Sequence, residues 1–217
     1  MINSLGFDKK KGDTKVIVAM SGGVDSSVAA VKLKKEGYDV TGVTLRLYSQ
    51  SNVQKSKTCC AGQDIEDANM VAKQFGFKHY VSDYQDKFFN GVIDKFVDSY
   101  SKGMTPIPCI NCNQTVKFTD LLNEAKNQNA DALVTGHYVR RICENDSVSL
   151  HKAKDLSKDQ SYFLFATTKE QLAYLRFPIG EYLKSEIRQM ASDFSLNVKD
   201  KPDSQDICFV TTGSYRR

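Results

Sequence analysis

The sequence has 217 residues, 41% of them apolar and 26% charged, proportions of an ordinary globular chain that exclude a disordered or fibrous one. Lys and Arg number 30 against 26 Asp and Glu, and this net charge of +4 admits a nucleic-acid partner without demanding one. The first apolar run, Val16 to Met20, is too short for a secretory signal core or a membrane span, so the chain is read as cytoplasmic with no membrane partner.

Residues 1–14 are polar and Lys-rich and are expected to form a flexible tail. Residues 15–20 (KVIVAM) form a β-branched run, the mark of a buried strand, and Ser21-Gly22-Gly23 breaks it. A helix over 25–35 stops at Gly37, a second strand covers 38–47, and the polar stretch 49–58 is expected to be a mobile loop. Ile65, Ala68, Val71, Ala72 and Phe75 fall at helical spacing over 63–75, and a short strand follows at 79–81. The stretch 87–100 is an amphipathic helix, and a Pro/Cys loop over 102–112 precedes a helix at about 116–127. Residues 132–135 are a further buried strand.

Strands alternating with helices predict an α/β fold: a Rossmann-like, mainly parallel sheet flanked by helices, with ligands at the carboxyl ends of the strands. After Gly136 the pattern changes to a hairpin over 139–153, turning at Glu144-Asn145-Asp146, and helical stretches at 160–165, 170–175 and 184–194. The expected division is a tail at 1–14, a nucleotide-binding domain at 15–139 and a partial second segment at 140–217 with a hairpin and helices.

The most informative motif is Ala19-Met20-Ser21-Gly22-Gly23-Val24-Asp25-Ser26-Ser27, between a predicted strand and a predicted helix. Two glycines let several backbone N–H groups converge on one point, and the helix N-terminus adds partial positive charge. Ser21, Ser26 and Ser27 offer hydroxyl donors, while Asp25 suits a helix cap or a magnesium ligand. A Gly-Lys-Ser/Thr triplet is missing, so this is not the Walker loop. The string resembles the phosphate loop of the ATP pyrophosphatase superfamily (adenine nucleotide alpha hydrolase-like), whose members cut ATP between the α and β phosphates and usually adenylate a substrate oxygen.

Six cysteines stand at 59, 60, 109, 112, 143 and 208, and without a secretory signal they are read as core filler or chemistry rather than a disulfide framework. Four segments frame them: Cys60-Ala61-Gly62-Gln63-Asp64, Pro106-Ile107-Pro108-Cys109-Ile110-Asn111-Cys112-Asn113, Gly136-His137-Tyr138 with Lys158-Asp159-Gln160-Ser161-Tyr162-Phe163, and Asp203-Ser204-Gln205-Asp206-Ile207-Cys208-Phe209. With the phosphate loop, and in this order, they resemble the tRNA-specific 2-thiouridylases from about Lys15 to Phe209. The resemblance implies ATP and Mg2+ as cofactors and a tRNA as substrate, with a sulfur-relay protein and a thiol reductant as partners. It casts Cys112 as nucleophile and Cys208 as carrier of a persulfide whose sulfur replaces the C2 oxygen of an adenylated wobble uridine, leaving a transient Cys112–Cys208 disulfide. Ala19, Met20, Ser21, Gly22, Gly23, Val24, Asp25, Ser26, Leu45 and Gly136 match ATP-contacting positions; His137, Lys158, Asp159 and Gln160 match tRNA-contacting ones. Read alone, Leu45 is equally plain strand core and His137 a structural histidine. Cys112, placed just before a predicted helix with Asn113 as its cap, has a setting that favours a thiolate.

Two departures stand out. Where many relatives have Asp, this chain has Cys109, which creates Cys109-x-x-Cys112; with Cys208 these are three candidate ligands for a [4Fe–4S] cluster, an alternative to no metal at all. The resembling family continues into a C-terminal β-barrel-like domain, and only residues 209–217 follow Cys208, so a truncated chain is expected. Two other functions stay open: a remnant that binds ATP or accepts sulfur without modifying RNA, and a ligase of the same superfamily that adenylates a small metabolite and needs neither Cys112 nor Cys208.

Overall fold

The computed structural model describes residues 2–47, 62–145, 147–203 and 207–209. The loop expected at 49–58, the Cys59-Cys60-Ala61 triplet, Asp146, residues 204–206 and 210–217 lie outside the described residues. The first strand, β1 (Lys15–Ala19), leads into α1 (Val24–Lys35), then β2 (Asp39–Arg46), α2 (Gly62–Phe75) and β3 (Lys78–Asp83). Helix α3 spans 85–101 and α4 spans 108–127, each with a stretch of wide π turns, at Phe89–Ile93 and Cys112–Leu121. The fourth strand, β4 (Ala132–Thr135), is followed by a hairpin of β5 (Val139–Glu144) and β6 (Ser147–Lys152), then α5 (Lys169–Tyr174), β7 (Leu175–Arg176) and α6 (Lys184–Asp193).

Five strands form one parallel sheet in the order β3-β2-β1-β4-β7, as the alternation of elements implied. Period-two alternation splits their side chains between two cores. Val16 and Val18 of β1 and Val134 of β4 pack with α1, α2 and α6, whereas Ile17 and Leu133 pack with Phe88, Phe118 and Leu121 of α3 and α4. The chain moves outward from β1 in both directions, to β2 on one side and β4 on the other. A crevice therefore opens between the carboxyl ends of β1 and β4, where sheets of this kind bind ligands.

Two expectations of the sequence reading are corrected. The N-terminal residues are not a loose tail. Leu5 is buried, the Asn3 side chain bonds Thr14 and Lys9, and the Leu5 carbonyl accepts a 2.6 Å hydrogen bond from Nε of the buried Arg176. The domain edge near Val139 also marks no break in packing. After the hairpin, β7 adds to the sheet edge, and Ile179, Ile187, Ala191, Leu196 and Val198 join the core under α1. A Cβ on Gly180 would fall 1.8 Å from the Val139 carbonyl oxygen, so the returning chain lies directly on the start of the hairpin.

Candidate active site at the carboxyl edge of the sheet

The phosphate-loop motif turns from β1 into α1 at this crevice. Gly22 adopts φ +71°, a conformation that favours glycine, and a Cβ there would lie 2.3 Å from the Asp64 carbonyl oxygen in the first turn of α2. A Cβ on Gly136, just past β4, would lie 2.7 Å from the Ser26 nitrogen, so the end of β4 presses on the first turn of α1. Ser26 braces the turn, its Oγ accepting from the Ser21 N–H at 3.1 Å. Ser21 is exposed and Gly23 half-buried, so the turn into α1 is open at the crevice. Met20, Val24 and Leu45 are buried in the two cores and shape the loop from behind, and Ala19 ends the strand. Ser27 is fully buried and points no hydroxyl at a ligand, contrary to the sequence reading.

Asp25 does not cap α1; the N-cap residue is Gly23 and makes no side-chain cap bond. Its carboxylate instead accepts from Lys184 Nζ, 2.8 Å to each oxygen, and from Tyr138 Oη at 2.8 Å. Lys184 bridges on to Asp203 at 2.8 Å, and Asp203 also receives Lys158 at 2.9 Å and Arg188 at 3.0 Å. Burial pushes the Asp203 carboxyl up, but hydrogen bonds and charge from Lys184 and Lys158 outweigh it and hold it at about 2. On the other side of the loop, Lys201 Nζ donates to the Gly22 carbonyl at 2.9 Å, Asp64 at 2.5 Å and Asp67 at 2.6 Å.

Sequence reasoning assigned no role to Lys184, Lys201 or Tyr138. One signal was available. Lys184 opens α6, the end of a helix where the dipole disfavours a cation, which asks for a partner elsewhere.

The residues matched to tRNA contacts lie beside this network. Asp159 accepts from the Ala153 N–H at 2.8 Å and from Ser161 Oγ at 2.5 Å, and Gln160 accepts from the Tyr138 N–H at 2.9 Å. These two side chains fasten their segment to the hairpin. His137 is half-buried between Phe118 and Phe177, with Nδ1 2.7 Å from Thr135 Oγ1. Burial, helped by Lys117, drives its pKa down to about 3, so the ring is neutral at physiological pH.

Helix α4 enters β4 at the amino edge of the sheet, so its N-terminus stands at the carboxyl edge with the phosphate loop. It begins at Pro108, where proline's missing N–H costs nothing, earlier than the expected start near Val116. Cys112 is therefore inside the helix, with φ −60° and ψ −45°, and Asn113 is no cap. The Asn113 amide is buried and donates to the Phe163 carbonyl at 3.3 Å. Cys112 is 9% exposed and belongs to the apolar cluster against which Cys208 and Phe209 pack, the Phe209 ring meeting Phe96 at 5.3 Å and Phe88 at 5.9 Å. Neither cysteine is disulfide-bonded. Cys109 and Cys143 are exposed. Among the described residues no group of three His, Cys, Asp or Glu side chains is placed to hold a metal, so Cys109, Cys112 and Cys208 do not form the cluster site considered from sequence. No described helix is long and apolar enough to cross a membrane.

The sheet order, the crevice between β1 and β4 and the glycine turn held against α2 and β4 define a phosphate-loop α/β protein of the adenine nucleotide alpha hydrolase type. Solved structures agree on the fold. A 4-thiouridine synthetase–RNA complex with bound ATP aligns over 87% of this chain and 43% of its own, with a TM-score of 0.56 and 18% identity. The NMN synthetase of Francisella tularensis aligns over 88% and 66%, with a TM-score of 0.53 and 19% identity. The chain belongs to the family described as tRNA methyl transferase HUP domain, which it matches over residues 14–212. It is 57% identical to the tRNA-specific 2-thiouridylase MnmA of Hyphomonas neptunium over 217 residues, all of this chain and 55% of that protein. It is 58% identical to the protein of the same name from Rhodospirillum centenum over 215 residues, 99% and 55% of the two chains. The chain thus spans about half the length of the curated relatives it matches.

Proposed function

We propose that this chain carries the ATP-binding and sulfur-transferring part of a tRNA 2-thiouridylase. The observation that carries the reading is the shared placement of Cys112 and Cys208 in one apolar cluster under the edge of the sheet that bears the phosphate loop. A metabolite-adenylating ligase of this fold has no use for that pair.

The triphosphate lies along the N–H groups of the loop and the first turn of α1, in the cradle that Gly22 and Gly136 keep open. Asp25 is the one carboxylate in that turn that would hold a Mg2+, whose charge would offset that of the phosphates once Lys184 yields the carboxylate. The wobble uridine enters beside Cys112, with Lys158 and its neighbours facing the tRNA. Attack of the C2 oxygen on the α-phosphate of ATP releases pyrophosphate and leaves an AMP ester, a better leaving group. Cys208 holds a persulfide from a sulfur-relay protein. The Cys112 thiolate attacks the inner sulfur of that persulfide and releases the outer one to C2. AMP leaves, Cys112 and Cys208 are joined, and a thiol reductant reopens the disulfide.

The test is nucleoside mass spectrometry of tRNA from cells carrying the gene with Cys112→Ser or Cys208→Ser. Loss of 2-thiouridine with either supports the reading; unchanged 2-thiouridine with both overturns it. Retention of an ATP-dependent ligase activity in both variants would favour the small-metabolite function.

A further inference from the structure

Two side chains that flank Pro202 reach the phosphate loop from opposite sides. Lys201 meets the carbonyl of Gly22, and Asp203 meets Lys184, whose ammonium also holds Asp25. We propose that Lys201 and Asp203 are positioning residues, a two-point strap that fastens the segment leading to Cys208 onto the phosphate loop. The inference rests on the reading above only in giving Cys208 its purpose; the strap itself is a statement about where that thiol is held.

The contacts saturate both groups. An ammonium has three N–H donors, and Lys201 has three acceptors: the Gly22 carbonyl, Asp64 and Asp67. Asp203 gathers three cations, Lys184, Lys158 and Arg188. Arg188 adds a bond from each of its two terminal nitrogens to the Lys201 carbonyl, both at 3.3 Å, so the strap's backbone is held along with its side chains. Exposed ion pairs contribute little to stability, and these differ by being largely sheltered and sharing partners. The side chains of Asp64 and Asp67 are each 12% exposed and that of Lys184 is 11% exposed.

The geometry limits where Cys208 can go. It follows Asp203 by five residues, so with Asp203 fixed it stays within about 17 Å of that anchor even on a fully extended chain. Beyond the strap, apolar contacts around Phe209 also hold this stretch of chain. One anchor, the Gly22 carbonyl, is an atom of the phosphate loop, and Asp203 reaches Asp25 in the first turn of α1 through Lys184. The loop that receives phosphates and the thiol that delivers sulfur are therefore mechanically one unit.

The test is alkylation of the purified chain with iodoacetamide, followed by peptide mass spectrometry of Cys208 with the exposed Cys109 as internal reference. The variants are Lys201→Met, Asp203→Asn, their combination, and the conservative Lys201→Arg and Asp203→Glu. Loss of one to two kcal/mol of restraint multiplies the open population about five- to thirty-fold. The double variant is expected to raise the Cys208 rate about tenfold with Cys109 unchanged, and the conservative pair to restore most of the protection. A Cys208 rate within about twofold of wild type in a double variant that melts normally overturns the proposal. So does a parallel rise at Cys109 and Cys208 in the conservative variants, which would mean general loosening. Failure of the sulfur-transfer reading appears separately: Cys208→Ser would leave 2-thiouridine intact while the alkylation pattern of the strap variants still held.

Discussion

Gly22→Ala tests the assembly of the phosphate loop because two costs coincide there and can be measured apart at other glycines. At Gly22, φ is +71° and the added methyl would stand 2.3 Å from the Asp64 carbonyl oxygen and 2.6 Å from Asp64 Cα. Gly76 has the conformational cost alone, with φ +65° and nothing within 4 Å of a built Cβ. Gly136 has the close approach alone, its methyl 2.7 Å from Ser26 N and 2.9 Å from the Asp25 carbonyl carbon. A left-handed conformation costs a side-chain-bearing residue about 1–2 kcal/mol, and overpacking about 1–3 kcal/mol. Gly76→Ala should therefore cost about 1–2 kcal/mol, Gly136→Ala about 1–3 kcal/mol and Gly22→Ala about 2–5 kcal/mol. For a chain of this size each kcal/mol lowers the melting point by about 2–4 °C, so Gly22→Ala should melt about 4–20 °C low in a thermal scan. Nucleotide affinity separates the sites further. Displacement of the loop by either methyl should weaken ATP binding at least about tenfold, whereas Gly76→Ala, at the far end of α2, should leave it unchanged. A Gly22→Ala protein that melts no lower than Gly76→Ala, or binds ATP as the wild type does, would refute the close packing of this loop on α2.

Three further outcomes are expected. The folded state keeps His137 neutral down to a pKa of about 3, against an ordinary value of 6.5, so below pH 6.5 the unfolded chain takes up a proton that the folded one refuses. Stability from this group is thus lost as pH falls, and the difference in urea stability between wild type and His137→Phe should shift by about 2 kcal/mol against the wild type from pH 7 to pH 5; a constant difference would refute the neutral ring. Deleting residues 2–8 removes the Leu5 carbonyl from Arg176 Nε and the Phe7 ring, which lies 4.4 Å from the guanidinium carbon. Stranding a buried guanidinium should cost about 2–4 kcal/mol in urea melts, where a loose tail would cost nothing measurable. Finally, the exposed Cys109 should react with iodoacetamide at least about tenfold faster than Cys112, which is 9% exposed; equal rates would place Cys112 on the surface.

The sheet was legible because β1, β2 and β4 are short β-branched runs separated by helices with regular apolar spacing, and buried parallel strands have few other ways to read. The phosphate loop was legible because the left-handed turn at Gly22 and the Ser21–Ser26 bond are formed between neighbours in the sequence. What the sequence hid lies in long-range partnership. The Lys-rich N-terminus looked like a tail because no local pattern reveals that Arg176, 171 residues away from Leu5, needs its carbonyl. The start of α4 was missed because Pro106 and Pro108 read as loop, although proline at a first helical turn is favourable. The segment after Val139 looked separate because a hairpin interrupts the βαβ rhythm, while the two-residue strand that rejoins the sheet is too short to leave a period.

Of the two roles expected for Asp25, the structure removes the helix cap, which falls to Gly23, and leaves magnesium as a proposal. Its position in the turn after β1 marked it for a cap or for magnesium, and both readings assumed a carboxylate at liberty. The fold instead gives it Lys184 and Tyr138. A carboxylate fixed by an ammonium from α6 and a phenol from the segment after β4 holds the ends of three separate stretches of chain at the mouth of one crevice. The same Lys184 carries Asp203, so any ligand that draws Asp25 away changes the charge that Asp203 meets. The phosphate loop is thus not a passive cradle. It is the point at which the turn after β1 and the segment before Cys208 share one counter-ion, the Lys184 ammonium.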